Sequence, residues 1–281
     1  MCSSDLLDIA FAGASPSGGF EQVTLPLIAG LGPRLKAWVD HHDHAEHARY
    51  RRDPRFVLST KAEHGACPEM IDEALVARVG AVDTIVCHGD FDGLASAAKW
   101  LLGSRQPYER CDDDARAIDT RIGEAGPVGA LLDRALRARP KDTALPALVV
   151  RYLAGGAQDV DLERQLRSIA AELEPIERET ERAARHYRVF PGLAVVDVAV
   201  GFDRVDTTLL LLLGQKLARV AVVLDRANIQ MAASFDSGVD FLQLLHIPGG
   251  MPTRLALPRN RAESALVTLG LDPALAAELA G

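Results

Sequence analysis

The sequence predicts an α/β protein in which a mostly parallel sheet flanked by helices is followed by a connecting helix and a second, smaller α/β domain. Two observations predict this fold class. Short apolar runs alternate with helix-like stretches in the first half of the chain, and each run ends in polar or acidic residues. This alternation is typical of parallel strands covered by helices on both faces. A long amphipathic stretch then precedes a second, shorter alternation of strand and helix.

Three apolar runs predict the strands of the first domain, which we place at residues 1–157. They cover residues 6–12, 35–39 and 84–87, and a segment rich in glycine, proline and serine follows the first run. Parallel sheets bind their ligands at the carboxyl ends of the strands. We therefore expect the functional side chains directly after these runs.

The connecting segment, at residues 158–187, is expected to contain one long helix from Asp161 to about Arg185. Apolar residues recur there at every third or fourth position, which is the spacing of an amphipathic helix. Pro175 is expected to kink this helix. The second domain covers residues 188–281. Its expected strands are 193–200, 220–224 and 229–233, its expected helix is 206–217, and a turn-rich segment lies at 248–252.

Charge and hydropathy argue against two classes of protein. The 31 basic and 39 acidic residues give a net charge of −8, which does not suit a protein that grips long duplex nucleic acid through many phosphates. The longest apolar run, residues 209–213, is far shorter than the ~20 residues of a membrane span. A small phosphate-containing substrate stays compatible with this charge, because carboxylates that bind metal ions count as negative in the sum.

The four cysteines lie far apart and form no CxxC pair. Their spacing favours reduced thiols over a disulfide or zinc framework. The chain also begins without the charged and apolar regions of a secretion signal. We therefore expect a cytoplasmic protein; its oligomeric state stays open, a homodimer included.

The first polar cluster follows the second predicted strand and runs from Asp40 to His44. It holds three histidines and two aspartates in five consecutive positions. Imidazole and carboxylate groups together bind borderline divalent ions such as manganese, iron or zinc. An aspartate beside a ligating histidine can also fix the tautomer of its ring. The alternative interpretation is a solvated polar turn.

The second polar cluster follows the third predicted strand. His88, Asp90 and Asp92 alternate there, so an extended end of the strand would point all three side chains to one face. Gly93 then allows a tight turn into a helix whose apolar residues recur at helical spacing. The start of a helix presents free N–H groups and a positive dipole end, which suits a phosphate group.

Further acidic residues are weaker candidates. Asp8 is expected to end the first strand and could therefore point into the same crevice, the alternative being a surface aspartate. Asp119, between an isoleucine and a threonine, is the preferred ligand in its segment, with Asp114 as the second choice. Asp112 and Asp113 are expected to lie on a solvated face. Asp206 is expected to cap a helix.

Two of these motifs resemble the DHH phosphoesterase superfamily. They are Asp40-His41-His42 and His88-x-Asp90-x-Asp92-Gly93, and their combination is more specific than either alone. The resemblance extends over nearly the whole chain: a parallel-sheet catalytic domain, a connecting helix and a small DHH-associated domain. In the family the second motif normally precedes the first, whereas here it follows, as in a circular permutation.

The resemblance implies a phosphoester hydrolase that uses two divalent ions, usually Mn²⁺, with Mg²⁺ or another divalent ion as alternatives. The implied metal ligands are Asp8, His41, His88, Asp90, Asp92 and Asp119. Asp8 would bridge the two ions. Asp40 and His42 are the candidate catalytic residues, and His42 would contact the phosphate or assist proton transfer.

The resemblance also implies that the second domain binds substrate. Its candidate residues are Gly249, Gly250 and Arg254, although the family's glycine run ends in histidine and here Met251 follows. The acidic balance of the chain favours a short nucleotide, such as an oligoribonucleotide, a dinucleotide or a nucleoside phosphate. Inorganic pyrophosphate is less favoured, because the pyrophosphatases of this group space their first motif differently.

Two other interpretations stay open from the sequence. One is a hydrolase with a single metal ion, which metal counting would distinguish. The other is a non-catalytic nucleotide-binding or regulatory protein that retains the site. A protein of that kind would bind nucleotide without metal-stimulated turnover.

Overall fold

The computed structural model describes residues 5–12, 19–247 and 252–281, with side chains from residue 9 onwards. The chain divides into two compact units, Met1–Leu173 and Glu174–Gly281. Both units combine helices with a sheet, so the predicted α/β class is confirmed. No helix among the described residues is both long enough and apolar enough to cross a bilayer.

The sheet of the first unit is parallel in every pairing that the described residues make. Its strands are β1 (Asp5–Asp8), β2 (Leu35–Asp40), β3 (Phe56–Leu58) and β4 (Thr84–Cys87), in the spatial order β3-β2-β1-β4. The register places Asp8 opposite both Val39 and Cys87. Asp40 and His88, the residues that follow these partners, therefore lie at the same edge of the sheet as the end of β1.

Two strand predictions need correction. The first strand ends at Asp8, as expected for that residue, but the apolar run 6–12 does not continue it, because the N–H groups of Phe11 and Ala12 donate hydrogen bonds to the side chains of Asp40 and Thr24. The short strand β3 was not predicted, since Phe56–Leu58 is only three residues long and has too few residues to show alternation.

Eight helices of the described residues belong to the first unit. They are α1 (Thr24–Leu31), α2 (His47–Tyr50), α3 (Glu73–Val79), α4 (Phe91–Leu101), α5 (Cys111–Thr120), α6 (Pro127–Ala138), α7 (Leu145–Ala154) and α8 (Val160–Ala171). The helix α4 is the centre of their packing: Phe91, Leu94 and Ala98 are buried in one core with residues of α5, α6, α7 and α8. This burial fixes the first turn of α4 against the sheet.

The second motif is not an extended end of strand, as its alternation predicts. The strand β4 ends at Cys87, Asp90 is the N-cap residue of α4, and Asp92 lies in the first helical turn. A methyl group on Gly93 would lie 2.6 Å from the carbonyl oxygen of His88. Gly93 is therefore required because the helix approaches the backbone of His88 closely, and this lets the helix start directly after the strand.

The long connecting helix is also a wrong prediction. The segment forms two helices, α8 and α9 (Glu174–Ala184), separated by Glu172 and Leu173. Pro175 lies in the first turn of α9, where a missing N–H breaks no helical hydrogen bond. The proline therefore starts a new helix and does not kink a continuous one. The break coincides with the boundary between the two units.

The second unit has a mixed sheet with the spatial order β5-β6-β7-β8-β9. The strands are β5 (Arg188–Phe190), β6 (Leu193–Asp197), β7 (Val220–Leu224), β8 (Asn228–Ala233) and β9 (Arg254–Pro258). Its remaining helices among the described residues are α10 (Thr207–Gln215), α11 (Phe241–Leu244), α12 (Ala262–Thr268) and α13 (Pro273–Ala280). Only β6 and β7 pair in parallel. Asp206 caps α10 as predicted, with its carboxylate accepting a hydrogen bond from the N–H of Leu209 at 3.0 Å.

A buried carboxylate joins α5 to the start of α6. Asp114 is 1% exposed. It accepts hydrogen bonds from the hydroxyl of Tyr108 at 2.8 Å and from the N–H groups of Gly126 and Gly129 at 2.7 and 3.2 Å. Both glycines allow α6 to approach Asp114, since a methyl group on Gly129 would lie 2.7 Å from its Cβ and Oδ2 atoms.

Replacement of Gly129 should therefore destabilise the first unit. We expect Gly129→Ala to cost about 1–3 kcal/mol, the range for added methyl groups in packed cores. Gly30→Ala is the matched control, because a methyl group there meets no atom within 4 Å, and alanine is favoured over glycine in a helix by about 0.5–1 kcal/mol. Urea unfolding of both variants measures the difference. Equal stability of the two would contradict the close packing around Asp114.

Candidate metal centre

Side chains from three elements of the first unit converge at the carboxyl edge of its sheet. His41 directly follows β2, Asp92 lies in the first turn of α4, and Asp119 lies in the last turn of α5. Each offers one ligand atom, and these atoms lie within 4.8 Å of one another. His41 Nε2 is 3.3 Å from Asp92 Oδ2 and 3.9 Å from Asp119 Oδ2. The two sequence motifs thus meet in space.

The orientation of the His41 ring determines what this cluster can bind. His41 Nδ1 lies 3.1 Å from the carbonyl oxygen of His64. A carbonyl oxygen only accepts, so Nδ1 carries a hydrogen and donates it. Nε2 then directs a lone pair at the two carboxylates when the ring is neutral. This atom is buried and has no hydrogen-bond partner among the described residues.

A lone pair that faces two carboxylates requires a positive charge between them. Burial lowers the pKa of His41, but the carboxylates of Asp92 and Asp119 outweigh it and raise the pKa above its ordinary value. A proton on Nε2 is one source of that charge. A divalent ion is the other, since one imidazole nitrogen and two carboxylate oxygens suit borderline metals. The two are exclusive, so metal binding would release the proton.

The second motif supplies a further carboxyl group, that of Asp90, close to Asp92. Asp92 Oδ1 accepts a hydrogen bond from the N–H of Gly93 at 2.9 Å. Desolvation of the Asp90 carboxyl group, together with the charge of Asp92, raises the pKa of Asp90 to about 7. Burial would raise the pKa of Asp92, but its contact with His41 holds that pKa well below the usual range. The two aspartates therefore share negative charge that a cation would stabilise.

Asp40 is fully engaged by the protein. Its carboxylate accepts hydrogen bonds from the N–H groups of Phe11 at 2.9 Å and His42 at 2.8 Å, and from ring nitrogens of His42 and His47, both at 3.0 Å. Burial alone would raise the pKa of Asp40, but these four hydrogen bonds keep it below its usual range. Asp40 therefore holds the ring of His42, and its catalytic role stays a prediction.

Two further predicted ligands, His88 and Asp90, lie outside the 4.8 Å group. His88 Nε2 accepts a hydrogen bond from the N–H of Ala10 at 3.3 Å, and its ring centre is 5.8 Å from that of His42. Desolvation and the neighbouring His42 lower the pKa of His88. The backbone of Asp8 lies between β2 and β4, but its side chain is outside the described part. The ligand roles of His88, Asp90 and Asp8 stay predictions.

The acidic segment of α5 separates into distinct roles. Asp114 accepts the buried hydrogen bonds that join α5 to α6. Asp119, and not Asp114, lies beside His41. Asp112 does not lie on a solvated face as expected, because it forms an ion pair with the buried Lys99 at 2.6 Å. Asp113 is exposed as expected.

Lys61 is a residue of the centre that sequence reasoning missed. Its ammonium group donates a hydrogen bond to Asp119 Oδ2 at 2.7 Å, and its side chain is 9% exposed. Lys61 belongs to no motif. The one feature of the sequence that could have indicated it is its place just after the strand β3, which was itself not predicted.

The candidate substrate residues of the second unit are only partly described. Gly249 and Gly250 lie outside the described residues. Arg254 begins β9, is exposed, and donates a hydrogen bond to the hydroxyl of Thr208 at 2.9 Å. Their role in substrate binding stays a prediction.

The sequence matches no model of a protein family and no curated protein. A pGpG-specific phosphodiesterase, PggH from Vibrio cholerae, has a similar structure with a TM-score of 0.45 and 13% identity over 95% of this chain and 98% of that one. A Methanococcus jannaschii protein assigned to the family II inorganic pyrophosphatases gives a TM-score of 0.20 and 13% identity over 90% of this chain and 74% of that one.

Both TM-scores are below 0.5. The chain resembles the DHH phosphoesterase superfamily through its two motifs. The permuted order of these motifs is a prediction from the sequence.

Addition of Mn²⁺ should stabilise the first unit through His41 and Asp119. A ligand at 100 times its Kd contributes about 2.7 kcal/mol, which would raise the unfolding midpoint by several degrees. We expect His41→Ala and Asp119→Asn to lose this increase. Differential scanning calorimetry with and without Mn²⁺ measures it.

Asp114→Asn is the control on the same helix. It should lower the stability without Mn²⁺ by about 1–3 kcal/mol, because buried donors lose their acceptor, yet it should retain the increase with Mn²⁺. The assignment of Asp119 is wrong if Asp114→Asn abolishes the increase and Asp119→Asn does not.

Proposed function

We propose that this protein is a metal-dependent phosphoesterase that hydrolyses a phosphodiester or phosphomonoester of a short nucleotide. The observation that carries the proposal is the convergence of His41, Asp92 and Asp119 around a buried Nε2 atom that has no hydrogen-bond partner in the described part of the chain. The fixed ring orientation of His41 supports a metal ligand, because metal-bound histidines commonly donate their other ring hydrogen to a backbone carbonyl.

We propose Mn²⁺ as the preferred ion, with Mg²⁺ or another divalent ion as alternatives. His41, Asp92 and Asp119 would hold one ion. A second ion would use His88 and Asp90, with Asp8 as the bridge, as the resemblance implies. Divalent ions in such sites supply positive charge for the phosphoryl oxygens and make water more acidic.

His42 is the proposed catalytic residue of the chain. Asp40 Oδ1 accepts the hydrogen of His42 Nδ1 at 3.0 Å, so the neutral ring presents Nε2 as a proton acceptor. Its side chain is 33% exposed, whereas that of Asp40 is fully buried. His42 can therefore meet a substrate, and Asp40 fixes the tautomer that accepts a proton or contacts the phosphate.

The substrate class follows from charge. A chain with a net charge of −8 suits an oligoribonucleotide, a dinucleotide or a nucleoside phosphate better than a long duplex. Arg254, Gly249 and Gly250 remain the candidate substrate-binding residues of the second unit. The wide spacing of the four cysteines, without a CxxC pair, supports the proposed cytoplasmic location, and a homodimer stays a hypothesis.

The proposed hydrolysis should depend on the convergent cluster. We expect turnover of short nucleotides with Mn²⁺, and a loss of about 100-fold or more in His41→Ala and Asp92→Ala, the range for removing one electrostatic contact from an active site. A screen of dinucleotides and nucleoside phosphates with Mn²⁺, Mg²⁺ and Zn²⁺ measures this. His64→Ala is the control, because only the backbone carbonyl of that residue contacts His41.

The outcomes of this screen separate the alternatives. Equal hydrolysis by wild type, His41→Ala and Asp92→Ala would refute the site. Binding of Mn²⁺ and nucleotide without turnover would indicate a regulatory protein. Two bound ions per chain would support the two-metal mechanism, and one tightly bound ion would indicate a hydrolase with a single metal.

His42 should act on the chemical step and not on metal binding. We expect His42→Gln to lower kcat by about 10²–10⁴-fold, the usual contribution of a general acid or base, while the stabilisation by Mn²⁺ is retained. Asp43→Asn is the matched control, since Asp43 is the exposed next residue. Steady-state kinetics at saturating Mn²⁺ measures both. An unchanged kcat in His42→Gln would exclude the proposed role.

A further inference from the structure

Lys61 is held in place by the same strands that position His41. The N–H of Ser59 donates a hydrogen bond to the carbonyl oxygen of Asp40 at 2.9 Å, which continues the pairing of β3 with β2. Glu63 Oε2 then accepts hydrogen bonds from the hydroxyl of Ser59 at 2.8 Å and from the N–H and hydroxyl of Thr60, both at 3.1 Å. The turn that carries Lys61 is thus fixed relative to the first motif.

The ammonium group of Lys61 donates a hydrogen bond to the same carboxylate oxygen of Asp119 that would bind a metal ion. It lies 2.7 Å from Asp119 Oδ2, and this same oxygen is 3.9 Å from His41 Nε2. The side chains of Lys61 and Asp119 are 9% and 19% exposed. Little water screens the pair, so a divalent ion between His41 and Asp119 would be repelled by the ammonium at close range.

We propose that Lys61 is a positioning residue that holds Asp119 and weakens the binding of a divalent ion until a phosphate group is present. This inference rests on the proposed function. A phosphate group at the centre adds negative charge near both cations and so relieves their repulsion. Metal and phosphate must then bind cooperatively, because a coupling between two ligands acts equally on both.

Removal of the charge of Lys61 should tighten metal binding. We expect Lys61→Met and Lys61→Gln to bind Mn²⁺ at least ~10-fold more tightly than wild type, because a positive charge beside a cation site opposes binding. Isothermal titration calorimetry with Mn²⁺ alone measures this. Lys36→Met is the matched control and should bind as wild type does, since Lys36 is an exposed residue of β2. Thermal unfolding first shows that each variant is folded.

The coupling gives a second measurement. Inorganic phosphate, kept below the concentration at which it precipitates Mn²⁺, should tighten Mn²⁺ binding to wild type about 5-fold or more, the lower range of typical couplings. In Lys61→Met the added phosphate should have a smaller effect. Lys61→Arg, which keeps the charge, should retain weak binding of Mn²⁺ and the coupling.

The results distinguish this inference from the function on which it rests. If Lys61→Met and Lys61→Gln bind Mn²⁺ as weakly as wild type or more weakly, Lys61 only anchors Asp119 and the inference is wrong, whether or not the protein is active. If wild type binds Mn²⁺ and the Lys61 variants bind it more tightly, but no phosphoester is hydrolysed, the proposed function fails while the inference on Lys61 holds. Absence of Mn²⁺ binding by every variant would overturn both.

Discussion

The buried carboxylate of Asp40 is the interaction on which the organisation of the centre depends. Its four hydrogen bonds join the segment after β1, the end of β2 and the helix α2. A carboxylate that is removed from water must be compensated by donors, and here Phe11, His42 and His47 supply them. The burial of Asp40 therefore holds the ring of His42 in one orientation and brings the strand ends together, while His41, the next residue, faces the other motif.

Charge balance is the second constraint on this site. Asp92 and Asp119 place two carboxylates beside the imidazole of His41, and Lys61 is a cation beside Asp119. Asp90 adds the charge of a third carboxyl group next to Asp92. An acidic cluster of this kind is costly in a folded core unless cations occupy it. The protein supplies one positive charge through Lys61 and allows a second through the proton of His41. The proposed metal centre would use this excess of negative charge to bind a divalent ion.

Much of the site could be predicted because its residues lie in short motifs at strand ends. His41 and Asp92 were identifiable in this way, and the parallel register brings their segments together. Which of Asp114 and Asp119 is the ligand was harder to predict, since both lie on one helix, about 140° apart at 3.6 residues per turn. The structure distinguishes them, because Asp114 is buried in the core and Asp119 lies beside His41. Lys61 could not be predicted, because its role comes from contact with a residue 58 positions away. The break between α8 and α9 was missed because amphipathic spacing continues through Leu173, which is buried as a continuous helix would require.

The strand order of the first sheet has a further consequence. From β1 the chain proceeds outward through β2 to β3, and then returns to place β4 on the opposite side of β1. Where the strand order of a parallel sheet reverses, the connections of two neighbouring strands run in opposite directions. A crevice then forms outside the carboxyl ends of these two strands. The gap lies at the boundary between β1 and β4, which is where Ala10 meets His88. The strand order therefore favours ligand binding at this edge of the sheet, where both motifs end.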